Sequence, residues 1–482
     1  MVKRASPLEI YKLLPRKADW DKLGLKTGME FVTELMERRL KLSDFPGELP
    51  EKNRQKILEL ITPPQRPLEF GVGSRKCVIG GEEAFHRHDL TFFNKTAIAI
   101  DVSDEQPDMV ERVKYITDFV INRIGEDLKL DAIAVRCTSN NPDKFTESVK
   151  KISENTDLPL ILCSWNVDAL IKAASAIKDK KPLLYAATKQ NWKQIGEFAV
   201  INSLPVVCYS SDLNELVSLV KVLETMGVNE IALDSGTCLE PGHIVGTLNR
   251  IQQIRYASIK QGDPLIKWPV IGVPATIWIK GIPKDEDEKL VIQYREALGA
   301  VMMLSVDVSM IIIHTGGTKD EIWFPLALVT YRQNIFTDPR IYPKVDPGLF
   351  KIGEPDRMSP VFMTSNYRMT KIPVEQDLKD GHINGWLLVI DTGGLGIEAG
   401  VAGGQLNAEK VAEAISQYKV FDNVDHRILV IPGLAARLQG AIEDEADCYV
   451  AVGPQDSSGI QKWMEKSWDP KKFMQEYNER KA

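Results

Sequence analysis

The sequence has no long apolar run, no surplus of basic charge and few cysteines, and each shortage removes a class of protein. Its longest apolar stretch, Ala300 to His314, contains Asp307 and is too short to cross a bilayer. It reads instead as the end of a buried helix followed by a buried strand. The opening Met1-Val2-Lys3-Arg4-Ala5-Ser6-Pro7 leads into a charged amphipathic stretch, unlike the apolar core of a secretory signal. A cytoplasmic location without a membrane partner is therefore expected. Lys and Arg total 60 against 67 Asp and Glu, a formal charge of −7. Nucleic acid is not an expected partner, because phosphate binding needs a basic face. The six cysteines, Cys77, Cys137, Cys163, Cys208, Cys238 and Cys448, contain no C-x-x-C pair. Several end apolar runs, as in Leu160-Ile161-Leu162-Cys163 and Pro205-Val206-Val207-Cys208, which is the setting of buried reduced thiols. A disulfide framework does not suit that spacing in so long a chain. Two phosphate-binding fingerprints are also missing. Asp391-Thr392-Gly393-Gly394-Leu395-Gly396 is not G-x-G-x-x-G, and Gly316-Gly317-Thr318-Lys319 lacks the spacing of a phosphate loop.

What is present is an ordinary folded composition, 44% hydrophobic and 26% charged over 482 residues. That length predicts about three domains of roughly 150 residues each. Residues 1–62 form a charged helical segment, with helix-like apolar spacing at Glu9–Leu14 and Met29–Leu42, closed by Pro63-Pro64-Gln65-Arg66-Pro67. From Ala97 onward short apolar runs alternate with helical stretches. The predicted strands are Ala97–Val102, Ala132–Arg136, Pro159–Cys163, Pro182–Ala186, Pro205–Tyr209, Glu230–Leu233, Val270–Val273 and Ser309–His314. Helices are predicted between them, among others at Met109–Ile124, Lys144–Asn155, Asn166–Ala176 and Leu213–Met226. Continuous apolar strands in alternation with helices indicate a parallel sheet covered on both faces. Eight of them predict a (β/α)8 TIM barrel, with an open doubly wound sheet as the alternative. After a helix at Leu326–Asn334, the Pro/Gly-rich passage from Pro339 to Pro360 is the expected boundary to a shorter α/β unit. Its predicted strands are Val361–Thr364, Trp386–Asp391, Arg427–Ile431 and Cys448–Val452.

Both architectures place chemistry beyond the C-terminal ends of their strands. In the last unit these ends carry Thr364-Ser365-Asn366-Tyr367, Asp391-Thr392-Gly393-Gly394-Leu395-Gly396, Pro432-Gly433-Leu434 and Gly453-Pro454. Glycines there let backbone N–H groups approach a flat or anionic ligand. Four such turns at one edge suit a large planar cofactor, and ordinary tight-turn chemistry is the competing reading. In the barrel, Asp101 lies near the end of the first strand, Asp234-Ser235-Gly236 follows the sixth and His314-Thr315-Gly316 closes the eighth. They read either as substrate chemistry, such as methyl transfer from a pterin, or as scaffold of a barrel that packs on a partner. His86 and His88 flank Arg87 on a predicted hairpin, where a structural role is expected over metal binding.

Taken in order, Thr364-Ser365-Asn366-Tyr367-Arg368-Met369-Thr370, Leu387-Leu388-Val389-Ile390-Asp391-Thr392, His426-Arg427-Ile428-Leu429-Val430-Ile431-Pro432-Gly433 and Val452-Gly453-Pro454 carry a resemblance. They resemble the large (gamma) subunit of the corrinoid iron–sulfur protein of acetyl-CoA synthase/decarbonylase systems. Ile10-Tyr11-Lys12-Leu13-Leu14-Pro15 resembles that family's opening, and Phe85-His86-Arg87-His88-Asp89-Leu90-Thr91-Phe92-Phe93-Asn94 the passage before its barrel. The likeness thus spans nearly the whole chain. It implies three parts: a small helical N-terminal segment at 1–62 in the place of an iron–sulfur domain, a TIM barrel at 63–335, and a Rossmann-like α/β corrinoid-binding domain at 336–482. It further implies a methyl carrier. A cobamide with its lower base detached would take a methyl group on Co(I) and pass it to a partner in one-carbon and acetyl-CoA metabolism. The implied partners are a small barrel subunit, a separate methyl-pterin methyltransferase and a reductive activator. By position, the expected cofactor contacts are Thr364, Ser365, Asn366, Thr370, Thr392, Gly393, Gly394, Leu395, Gly396, Ile397, Gly433 and Leu434. No catalytic side chain and no protein metal ligand is assigned.

Two departures bear on cofactors. The family's four cluster cysteines fall at Asp19, Lys22, Gly28 and Phe45, and no cysteine precedes Cys77. Those four residues cannot together replace thiolate ligation, so no iron–sulfur cluster is expected. The D-x-H-x-x-G motif of many cobalamin-dependent methyltransferases is also absent. None of His86, His88, His243, His314, His382 and His426 lies in it, so no histidine lower ligand is expected. Axial donation stabilises the higher oxidation states of cobalt, and its absence favours Co(I). Two competing readings stand beside the methyl carrier. One is a TIM-barrel pterin methyltransferase acting by acid/base chemistry. The other is a non-catalytic interaction protein that has lost the cofactor.

Overall fold

The structure, a computed structural model, describes residues 5–15, 18–86, 93–280, 283–336 and 343–481. Arg87, His88 and Pro339 lie outside the described residues. The chain divides into two compact units, residues 1–121 with 128–338 and residues 339–482 with 122–127. Among the described residues no helix is long and apolar enough to cross a membrane.

The first unit begins with three helices, Pro7–Tyr11, Gly28–Met36 and Glu51–Ile61. Ser6 and Glu9 form a reciprocal cap on the first, and Thr27 accepts from the Glu30 amide at the start of the second. An antiparallel hairpin of β1 (Pro67–Phe70) and β2 (Cys77–Gly80) follows. The next strands are β3 (Ala97–Ser103), a short ribbon of β4 (Val120–Arg123) and β5 (Glu126–Lys129), then β6 (Ala132–Arg136), β7 (Leu160–Cys163), β8 (Leu183–Ala187), β9 (Val206–Tyr209), β10 (Ile231–Asp234), β11 (Ile271–Gly272) and β12 (Met310–Ile313).

β3 and β6 to β12 make an eight-stranded parallel sheet in the order β10-β9-β8-β7-β6-β3-β12-β11. A parallel bridge from Leu233 to Val270 joins its two ends. The ring is a TIM barrel, and the open-sheet alternative falls. Alternation along each strand explains the core. Ile98, Ile100, Ile133 and Val135 pack outward on the helices, while Ala97, Ala99, Ala132 and Ala134 point inward with Ile161, Leu183, Val207 and Ile312. Leu68, Phe70 and Ile79 of the hairpin belong to this inner cluster.

In the barrel unit one predicted helix is cut short. The helix expected over Met109–Ile124 ends at Asp118, and Val120–Arg123 is β4. Phe119 is extended (φ −63°, ψ 113°), and a turn at Ile124 and Gly125, with φ of 55° and 71°, returns the chain as β5. β-branched Val120 and Ile121 followed by that glycine favour a hairpin over continued helix.

The second unit is a five-stranded sheet of β13 (Gly348–Ile352), β14 (Val361–Ser365), β15 (Gly385–Ile390), β16 (Ile428–Ile431) and β17 (Tyr449–Val452), ordered β13-β15-β14-β16-β17. β13 is an antiparallel edge, and the other pairs are parallel. Val361, Met363, Leu388 and Ile431 face one helical layer, and Phe362, Leu387, Val389 and Val430 face the other. The chain leaves β14 for β15 on one side, then crosses to β16 on the other. The switch point of this sheet therefore lies between β14 and β16, where open α/β sheets bind ligands.

Candidate functional site

A cavity of about 240 Å³ opens at that switch point. Its walls come from the end of β14 (Met363, Thr364), the helix Arg368–Asp380 (Met369, Thr370, Pro373), the turn after β16 (Pro432, Leu434) and the segment Gly453–Ser457 after β17. Ile397 completes it. Thr364 is 1% exposed, and its hydroxyl has no hydrogen-bond partner. Ser365 beside it is fully buried, and its hydroxyl is equally unpaired. A buried polar group left unpaired costs about 1–3 kcal/mol. Two such hydroxyls stand in succession at this strand end, one of them on the cavity wall.

The neighbouring Asn366 has another task. Its Oδ1 accepts from the Thr392 and Gly394 amides, each at 3.0 Å, and lies 3.0 Å from the Thr392 hydroxyl. Its Nδ2 donates to Asp391 Oδ1 at 2.9 Å, which also accepts from the Gly393 amide at 2.9 Å. Thr392 itself donates to the Leu395 carbonyl at 2.6 Å. Asn366, Asp391 and Thr392 thus build the turn that places Ile397. Gly393 and Gly394 have φ of 70° and 87°, which glycine adopts at no steric cost. Gly433 is needed for space: a Cβ there would lie 3.1 Å from the Gly453 carbonyl oxygen.

Of the positions singled out in the sequence, Thr364, Thr370, Ile397 and Leu434 meet on the cavity wall. Ser365, Asn366, Thr392, Gly393, Gly394, Leu395, Gly396 and Gly433 stand behind it or in the turns that shape it. Sequence reading missed Met369 and Pro373, because a proline disguised the helix Arg368–Asp380. It also missed Gln455–Ser457, which carry no periodic signal. No histidine lines the cavity among the described residues. His426 is buried, with Nε2 3.0 Å from the Ser359 carbonyl and Nδ1 accepting from the Ile428 amide.

The barrel holds a separate cavity of about 440 Å³ at the C-terminal ends of its strands. Asp101 Oδ2 accepts from Arg136 Nε at 2.7 Å, and Oδ1 pairs with His314 Nδ1. Burial raises the Asp101 pKa, but His314, Arg136 and Arg112 outweigh it and hold the carboxyl well below its ordinary range. Asp234 behaves oppositely. Burial pushes it up to about 6, against a hydrogen bond from the Tyr185 hydroxyl, the Gly236 amide and the Arg250 charge. Trp165, 60% exposed, packs on Tyr209 and Tyr185 at 5.1 and 6.2 Å between ring centres. Behind His314, fully buried Glu296 accepts from Trp278 Nε1 at 2.9 Å and the Thr315 hydroxyl at 2.6 Å. Sequence reading found Asp101, Asp234 and His314 but not Arg136, Tyr185 or Glu296. A signal for Glu296 existed: it stands with Gln293, Ala300 and Met303 on the buried face of its helix.

Fold and sites together define an α/β protein with a TIM barrel and a smaller parallel-sheet unit whose cavity sits at the sheet's switch point. The profile of the CO dehydrogenase/acetyl-CoA synthase delta subunit family matches residues 67–464. The chain is 41% identical over 475 residues to the acetyl-CoA decarbonylase/synthase complex subunit gamma 1 of Methanosarcina thermophila, covering 97% of this chain and 99% of that one. The subunit gamma of Archaeoglobus fulgidus is 38% identical over 480 residues (98% and 100%), and that of Methanocaldococcus jannaschii 34% over 496 residues (100% and 99%). This chain belongs to the gamma-subunit family of the acetyl-CoA decarbonylase/synthase complex, as the ordered motifs of the last unit had suggested. Among solved structures, a dihydropteroate synthase from Thermus thermophilus aligns with 56% of this chain and all of its own, at 12% identity and a TM-score of 0.38.

Proposed function

We propose that this chain is a methyl carrier whose second unit, residues 339–482 with 122–127, binds a cobamide. The observation that carries this reading is the unpartnered Thr364 hydroxyl on the wall of a cavity at the switch point. A corrin ring is flat, apolar on its faces and rimmed with amide side chains. Pro432, Leu434 and Ile397 offer the apolar surface, and Thr364 offers a hydroxyl that pairs with an amide. These residues would hold part of a cobamide at the cavity. When bound, the cobamide supplies a cobalt that holds the methyl group. The chain's own residues bind and orient it: Asn366 fixes the turn, Thr364 and Thr370 hold its polar rim, and Met369 and Leu434 cover apolar surface.

In this reading the cobamide is bound base-off and without a histidine lower ligand, which keeps Co(I) accessible for methylation. Methyl transfer in and out requires other proteins: a small barrel subunit of the same complex, a methyl-pterin methyltransferase and a reductive activator. The chain acts with them in acetyl-CoA metabolism in the cytoplasm. The open cavity speaks against an interaction protein that has lost its cofactor.

The barrel cavity favours one second reading, in which the methyl-pterin itself binds there and the barrel serves as the methyltransferase. The buried carboxyl of Asp234 and the ring wall of Trp165, Tyr185 and Tyr209 suit a flat nitrogen heterocycle. Uptake of cobamide by the purified chain tests the primary reading. One corrinoid per chain, with shifted corrin absorption bands, is expected. Free corrinoid after gel filtration overturns it. Methyl-pterin turnover by the loaded chain alone, abolished by Asp234→Ala, distinguishes the second reading.

A further inference from the structure

Of the four positions where the resemblance places cluster ligands, Gly28 and Phe45 meet the indole of Trp20 and the other two are its near neighbours in the chain. Asp19 and Lys22 flank it in the chain and pair with each other at the surface, Lys22 Nζ 3.3 Å from Asp19 Oδ2. A Cβ on Gly28 would meet the Trp20 ring at 2.9 Å and Tyr11 at 3.0 Å. The Phe45 ring stands edge-on to Trp20 at 5.7 Å. Fully buried Phe31 closes the triangle, 5.7 Å from Trp20 and 5.5 Å from Phe45. The Asp19 amide donates to the Pro46 carbonyl at 3.3 Å, which holds both segments around the ring. Among the described residues no group of His, Cys, Asp or Glu side chains is gathered as for a metal ion. Cys77, the first cysteine of the chain, is buried in the inner cluster of the barrel. These residues do not fit an iron–sulfur cluster. Aromatic carbon packs where its ligands would converge, and Asp, Lys, Gly and Phe offer no thiolate.

We propose that residues 5–62 are a metal-free module, in which Trp20 packs with Phe31 and Phe45 on a buried core that includes Ile10, Val32, Leu35 and Ile57, and no electron passes through. The module keeps its attachment. Arg38, in a left-handed conformation at φ 58°, donates to the Gly81 carbonyl at 2.7 Å and to Glu83 at 3.1 Å, with its guanidinium 3.9 Å from the centre of the Phe93 ring. Its role is mechanical, bound to the loop that follows β2. A reductant of any cofactor on this chain therefore has to be a separate low-potential one-electron donor protein acting without this module. The metal-free assignment is independent of the corrinoid reading, and its tests use no cobamide.

The full-length chain is produced anaerobically with excess iron and sulfide, then assayed for iron, acid-labile sulfide and an electron paramagnetic resonance signal after dithionite reduction. No sulfide, no signal and a melting temperature unmoved by EDTA are expected. Stoichiometric iron and sulfide with a cluster signal, or a melting temperature lowered by EDTA, overturns the proposal. Iron without sulfide is adventitious and leaves it standing. The second measurement concerns the triad. Trp20→Ala is expected to lower the first unfolding transition by several degrees, and Trp20→Phe to recover most of that loss. An unchanged transition in Trp20→Ala overturns the aromatic core. If that variant fails to accumulate, Trp20→Phe and the metal assays on the unaltered chain decide.

Discussion

Replacing Thr364 with Val deletes one hydroxyl while nearly preserving the shape of the side chain, and the two consequences have opposite signs. Without ligand, the Thr364 hydroxyl is buried and unpaired. Removing it relieves a desolvation penalty of about 1–3 kcal/mol, so the unliganded second unit becomes more stable. For a unit of this size, about 1 kcal/mol raises the melting temperature by roughly 2–4 °C. With cobamide bound, the same hydroxyl makes a hydrogen bond that Val cannot make. Loss of one such bond and its relieved penalty weakens binding by about 1.4 kcal/mol, or roughly tenfold. Calorimetric melts without cobamide and absorption titrations with it measure both quantities on one preparation. A destabilised unliganded Thr364→Val, or unchanged cobamide affinity, refutes the assignment of this hydroxyl to a ligand. Ser365→Ala is the companion: it removes an equally unpaired hydroxyl that does not line the cavity, so its effect on affinity is expected to be the smaller.

Asn366→Ala deprives the Thr392 and Gly394 amides of their acceptor. It is expected to destabilise the second unit by about 2–4 kcal/mol and to weaken cobamide binding, both read by the same titrations. In the barrel, the folded-state pKa of Asp234 is raised from 3.8 to about 6. The folded state then binds the extra proton, and stability falls as pH rises through that window. The advantage of the unaltered chain over Asp234→Asn should shrink by up to about 3 kcal/mol between about pH 4 and 6, followed by thermal melts. Asp101 has the reverse sign, because its folded-state pKa is depressed. Its stabilisation is present above the unfolded value and lost as pH falls below about 4. At neutral pH, Asp101→Asn should cost about 3 kcal/mol by leaving Arg136 and His314 without their carboxylate, and the cost should fade in acid.

How much of this was legible in the sequence depends on which force decided each element. The barrel strands were readable because continuous apolar runs such as Met310–Ile313 are determined by burial on both faces, a one-dimensional signal. The Leu233–Val270 bridge, which makes the sheet a ring, is a long-range pairing with no local trace. Helix Arg368–Asp380 was missed because Pro373 lies inside it, where a proline removes an i→i−4 hydrogen bond and usually ends or kinks a helix. In the site, the glycine and hydroxyl turns announced themselves by residue type. Whether Thr364 faces a cavity or Asn366 holds a turn was not visible, since both sit in one short motif and differ only in where their side-chain oxygens point. The partners of Asp101 were hidden for the same reason: Arg136 and His314 reach it from different strands. The aromatic triad of the first helices was missed as well, since it joins Trp20, Phe31 and Phe45 across three segments.

Retention of a labelled methyl group tests the methyl-carrier assignment most directly. The chain is loaded with cobamide, reduced, exposed to labelled methyl-pterin together with a methyltransferase, and separated from small molecules. One labelled methyl group per cobamide-bearing chain is expected, with none on the chain prepared without cobamide. Equal labelling without cobamide, or no label on a chain that has bound it, contradicts the assignment.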